Sequence, residues 1–225
     1  MSIRQSYAVT SRPWHLLTIA LVGAAVLFAV DLASKGFTQA LTKESGALEI
    51  STALLYAYTT MVWLWTRTGD TWRLDWQVAA VMLLMMGREL DLDKRLTSVG
   101  MLKSNLYLTN IAQPVERIFG VLVLVCVATV AIRLIVRNGP ELLSGFRRRA
   151  VWAWSILAAI GLAVVSKSID GLDRKLAPFG ISFSDQTVFL LGVIEDVLEF
   201  GIPVMFLVAT IRSIEISSKL NDRAI

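Results

Sequence analysis

The sequence predicts an all-α integral membrane protein: a six-transmembrane-helix bundle forming a single domain over residues 1–225. Three observations predict it. Apolar residues fill 55% of the chain and the mean hydropathy is +0.62, above the ~45–50% apolar content of soluble domains. They gather into six runs, each reaching the ~20 residues that cross ~30 Å of hydrocarbon once the charged ends of the third and fifth are included. The connections between runs leave no room for a soluble domain.

The first run, Trp14–Leu32, follows Arg4 and Arg12 as a secretory signal would. Its apolar core is at the limit of the ~7–15 residues of a signal and runs directly into Asp31, so it reads as an uncleaved span. The second, Ala47–Thr66, carries Tyr56, Tyr58, Thr59 and Thr60 as a stripe suited to hydrogen bonding between helices, with cavity lining the alternative. The third, Leu74–Asp93, breaks off into Arg88-Glu89-Leu90-Asp91-Leu92-Asp93-Lys94-Arg95, and its Met82, Met85 and Met86 read as packing. In the connection from Lys94 to Arg117, Leu102, Leu106, Tyr107 and Leu108 predict a segment lying on the membrane surface.

The fourth run, Ile118–Arg137, is expected to close at Gly139-Pro140, because proline cannot continue a helix, and Cys126 within it reads as packing. Gly145-Phe146-Arg147-Arg148-Arg149 is expected to open the fifth, Val151–Asp170, with a basic anchor. In the sixth, Asp185–Ile211, Pro203 after Gly201 is expected to bend the helix and free a backbone carbonyl. The seven Trp lie near span ends, as an aromatic belt does.

Six spans put both termini on one side. That side holds the Arg147-Arg148-Arg149 run and the larger number of Lys and Arg, so both termini are expected in the cytoplasm, the host membrane being a bacterial inner membrane. Most of the eighteen acids fall in the opposite, outer half. The basic residues flank apolar spans and are no nucleic-acid footprint. One His and one Cys exclude an internal disulfide, a Cys/His zinc site and a haem with two His ligands within one chain.

Ionisable groups inside a span cost roughly 2.5–3.5 kcal/mol each on insertion scales, so they mark partners, water, ions or substrate. At 1.5 Å per residue, Arg88 lies ~21 Å along a third span entering at Leu74 and Lys167 ~24 Å along a fifth entering at Val151. Counted from Asp185, Glu195 is ~15 Å deep and Glu199 ~21 Å deep. Glu195, Asp196 and Glu199 share one face of the sixth helix, and Lys167 and Asp170 one face of the fifth. These residues, with Arg88 and Glu89, form the candidate site. Asp91, Asp93, Lys94 and Arg95 read instead as a solvated helix end. Three neighbouring carboxylates cannot all ionise alone, so one keeps its proton or a cation sits between them, a hard divalent ion such as Mg²⁺ or Mn²⁺ being one choice.

An internal echo accompanies the site. Leu92-Asp93-Lys94-Arg95-Leu96-Thr97-Ser98-Val99-Gly100 is matched by Leu172-Asp173-Arg174-Lys175-Leu176-Ala177-Pro178-Phe179-Gly180, each followed by a return run with Phe-Gly, Phe119-Gly120 and Phe200-Gly201. Asp31 and Lys35 after the first span give a weaker trace. Repeated helical hairpins are one explanation; the common look of charged helix ends is the other.

Three functions compete. Proton- or cation-linked transport of a small solute ranks first, with the acids as the coupling site and Arg88 and Lys167 as counter-charges. A membrane-embedded, metal-dependent enzyme acting on a lipid or lipid-linked phosphate follows. An assembly subunit of a membrane complex is third. The lipid bilayer and a small solute, ion or lipid are the expected partners.

Overall fold

The computed structural model describes residues 13–36, 46–66, 71–98, 100–101, 103–108 and 112–222, and the side chains of all these except 35, 71–74 and 217–222. The described chain is all-α. Its elements are α1 (Trp14–Lys35), α2 (Ala47–Thr66), α3 (Thr71–Glu89), α4 (Leu92–Leu96), α5 (Asn105–Leu108), α6 (Pro114–Arg147), α7 (Val151–Ile169), α8 (Leu172–Leu176) and α9 (Asp185–Asp222), with a 3₁₀ turn at Ala177–Phe179.

Three described helices are long and apolar enough to cross a bilayer: Trp14–Ser34 in α1, Pro114–Arg147 and Val151–Ile169. They suit a multi-pass integral membrane protein. Their outward faces are continuous hydrocarbon: Ile19, Val22, Val26 and Val30 on α1, Ile118, Leu122, Val125 and Ile132 on α6, and Leu157, Ile160 and Val164 on α7 are all exposed. Surface of that extent and character is what a lipid-facing helix carries. The other three long helices are less apolar because they line the interior. Half of α2 is buried, including Ser51, Thr52, Thr59 and Thr60.

The six long helices form a ring, α1–α2–α3–α6–α7–α9, that α9 closes against α1 and braces across α2. The α7–α9 seam is the most extensive contact. One core joins Tyr56 and Trp63 of α2, Ala79 and Met82 of α3, Ala159 of α7 and Ile202 of α9. A second joins Leu55 to Leu207 and Ile211, with Trp14, Leu16 and Leu17 of α1 packed on it.

Polar ties fasten the outer helices at the arginine-rich end. The Trp14 indole donates to Glu215 at 2.7 Å while the Arg212 guanidinium stacks on its ring at 4.6 Å. The α3–α6 pair is pinned by the fully buried Gln77, which donates to Asn138 at 2.8 Å and accepts from Arg133 at 3.1 Å. Arg137 and Asp75 add an ion pair at 3.0 Å.

Several boundaries differ from the sequence reading. Helix α6 does not stop at Gly139-Pro140; it runs on to Arg147. Pro140 lies on the exposed side, where a single missing backbone donor is tolerated. Gly145-Phe146-Arg147 is therefore the last turn of α6, not the opening of α7. Gly145 lets the Trp152 ring lie against its backbone, closing the α6–α7 hairpin. Cys126 faces outward and is exposed. The expected surface segment packs instead: Leu106 is fully buried and the Tyr107 hydroxyl donates to the Met101 carbonyl at 2.6 Å under Gly120. Leu102, the chain ends and Arg4, Arg12, Arg67, Lys43 and Arg223 lie outside the described residues.

The two echoed segments fold alike. Each follows a left-handed residue, Asp91 (φ 50°, ψ 33°) and Gly171 (φ 59°, ψ 33°), then makes the short helices α4 and α8, and each reaches a glycine at positive φ, Gly100 and Gly180. Helix α1 also ends at a positive-φ glycine, Gly36.

Candidate functional site

The site forms at the end of the bundle where α3 and α7 terminate and α9 does not. Glu199 is its hub. It accepts from Arg88 at 2.6 Å and from the buried Ser166 hydroxyl at 3.1 Å, and lies 3.5 Å from the Lys167 ammonium. Arg88 also reaches Glu89 at 3.6 Å. Lys167 binds Asp170 at 2.8 Å and approaches Glu195 at 3.8 Å. Three helices thus supply one network of two cations and four acids, and all seven sequence candidates gather there, Asp196 through the cavity they share.

Asp196 lines this cavity without a hydrogen bond or ion pair among the described residues. The cavity is about 870 Å³ and is walled by α2, α3, α4, α6, α7 and α9. Asp91, Asp93 and Lys94 line it too. The Asp91–Lys94 pair at 2.8 Å is thus part of the site rim rather than only a solvated helix end.

The depth differs from the count along α9. Arg88 stands one residue before the end of α3, and Ser166 three before the end of α7. Since Glu199 meets both, most of the ~21 Å of α9 that precedes it reaches past the ends of α3 and α7. The acids are therefore near the ends of α3 and α7, and the projecting part of α9 is one wall of the cavity.

Local sequence explains the arrangement. Glu195 and Glu199 are one helical turn apart, so both face α7. Pro203, fully buried, has no N–H to give to the Glu199 carbonyl, yet α9 stays helical through it. Gly201 lets α9 approach Leu162 of α7; a Cβ there would stand 3.0 Å from that side chain.

Two contributors are absent from the sequence candidates. Glu49 and Thr52 of α2 line the cavity, and one turn further Tyr56 buries a hydroxyl that feels the charges of Glu89, Arg88 and Glu199. Positions 49, 52 and 56 share a helix face, and Glu49 is the only acid of α2, so the signal was present.

Just past the end of α7, the hydrogen bond from Lys167 holds the Asp170 carboxyl below the ordinary carboxylate range. Among the described residues no group of three or more His, Cys, Asp or Glu side chains is arranged to hold a metal ion. Glu89, Asp170, Glu195 and Glu199 each lie within 4 Å of Arg88 or Lys167. Compared with known proteins, the chain matches no family model, no curated protein and no solved structure.

Proposed function

We propose that the chain is a six-span membrane protein that moves a small solute in exchange or company with protons or cations, through the cavity around Glu199. The six-span reading is supported by packing. Helices α2, α3 and α9 lie along α1, α6 and α7, so if the apolar three cross the bilayer the interior three cross with them. The arginine-rich end, with Arg137, Arg147, Arg148 and Arg149, is then cytoplasmic and the carboxylate end faces away.

One observation carries the transport reading: Glu199 shares two cations from two different helices inside a roomy cavity, with alternative acids within 4 Å of each cation. Protonating Glu199 releases Arg88 toward Glu89 and Lys167 toward Asp170 and Glu195. A proton therefore changes which helices are tied together, which is what coupling a proton to movement requires. The phosphate-handling enzyme finds less support. Its anion would need free cations, and Arg88, Lys94 and Lys167 are each paired.

The test is proton flux in liposomes containing the purified chain and trapped pyranine, with Na⁺ or K⁺ gradients imposed across them. Wild type is expected to show cation-dependent proton movement that Glu199→Gln abolishes and Glu195→Gln weakens. Flux unchanged in both variants removes the proposal.

A further inference from the structure

We infer that the solute is an amphipathic organic cation that enters the cavity sideways from the lipid, between α6 and α9. The inference rests on the transport reading and names its substrate class.

Charge sets the sign of the ligand. The cavity lining holds eight carboxylates against three cations. All three cations are within 4 Å of an acid, whereas Asp196 has no ion pair or hydrogen bond among the described residues. Among the described lining residues the site thus offers an acid without a cation and no cation without an acid. An acid without a partner among the described residues, in a lining rich in acids, points to a ligand headgroup that is cationic.

The opposite wall sets the rest of the ligand. Phe119, Val123 and Val127, four residues apart on one face of α6, line the cavity with Leu83 and Leu84 of α3. Phe119 is exposed and neighbours Ile118 and Leu122 on α6, so the apolar wall adjoins the lipid-facing surface. Helix α6 packs mainly on α3, α5 and α7, and the cavity runs between its Phe119, Val123 and Val127 and Gly192 of α9. Nothing lies within 4 Å of where a Gly192 side chain would begin. A ligand with an apolar body against α6 and a positive centre at Asp196 meets both walls at once, and a lipid-dissolved molecule reaches the cavity without crossing water.

The experiment uses the full chain in phosphatidylcholine nanodiscs, with empty nanodiscs subtracted for partitioning. Tetraphenylphosphonium is compared with its isostere of opposite charge, tetraphenylborate, and with tetramethylammonium, which lacks the apolar body. Tetraphenylphosphonium is expected to bind at least ~10-fold more tightly than either. Asp196→Asn is expected to remove at least ~10-fold of that affinity and Asp196→Glu to restore most of it. Asp196 holds no hydrogen bond or ion pair among the described residues, so neither change removes one of those. Val123→Trp is expected to slow tetraphenylphosphonium association by narrowing the cavity. Equal binding of the two isosteres, or full affinity in Asp196→Asn, overturns the inference. Such a failure beside intact Glu199-dependent proton flux leaves the transport reading standing, and loss of that flux removes both.

Discussion

Arg88 spans two acids on two helices, 2.6 Å from Glu199 and 3.6 Å from Glu89. A guanidinium can divide its planar fork in this way, whereas an ammonium meets its partners as a point charge. Arg88→Gln is therefore expected to destabilise the chain by about 1.5–3 kcal/mol, the range for hydrogen bonds to charged groups, its partial exposure favouring the lower end. Arg88→Lys should recover only part of that loss, so unfolding in detergent should order wild type, Arg88→Lys, Arg88→Gln. A second residue-scale prediction concerns pH. Lys167 holds Asp170 below its ordinary value of 3.8, so the pair's contribution is complete above about pH 4 and is lost as pH falls through the lower folded value. Both side chains are well exposed, 47% and 39%, so the effect is small. Asp170→Asn should narrow the difference in melting temperature between pH 6 and pH 3; an unchanged difference would count against the pair. Such partners were only half legible in the sequence. Helical spacing placed Glu195 and Glu199 on one face, but no spacing rule tells which helix will bring Arg88 or Ser166 to meet them.

At the scale of the element, backbone breaks define the site as much as charges do. Gly171 sits at φ +59° and Asp91 at φ +50°, each turning the chain from a long helix into a short one that caps the bundle end. Adding a Cβ in that region costs ~1–2 kcal/mol. Gly171→Ala should lose about that much stability, while Asp91→Gly should lose none beyond its exposed ion pair with Lys94, both read from denaturant unfolding. Gly120 is a packing case: a Cβ there would lie 2.6 Å from the Tyr107 hydroxyl and 2.8 Å from Leu106. Gly120→Ala should cost about 1–3 kcal/mol, as overpacking does, by lifting α5 from α6. The starts of α2 and α7 were legible because apolar runs begin there abruptly. The ends of α6 and α9 were not, because hydropathy reports where lipid stops and not where hydrogen bonding stops. Beyond Arg137, α6 continues as a polar helix to Arg147, and beyond Ile211, α9 runs on to Asp222.

For the whole molecule, span number and sidedness are one question. Hydropathy alone counts α1, α6 and α7, and the other three long helices escape it because they carry enclosed polar residues such as Ser51, Thr59, Gln77 and Glu199. If only the apolar three crossed, the C-terminal half of α9 would lie on the same side as the turn after α7. If all six cross, it lies with the α6–α7 turn. Packing favours the second: Trp14, at the start of α1, meets Arg212 and Glu215 near the far end of α9, and α9 has its most extensive contact with α7. Single cysteines in a Cys126→Ser background decide it. A membrane-impermeant maleimide added to spheroplasts is expected to label Ser182→Cys and to spare Arg148→Cys and Ile216→Cys until the membrane is opened. Labelling of Ile216→Cys together with Ser182→Cys would reduce the spans to three. It would also leave Glu199 in a helix that never crosses the bilayer, where a proton has nowhere to be carried. Transport therefore stands or falls with the side on which Ile216 is found.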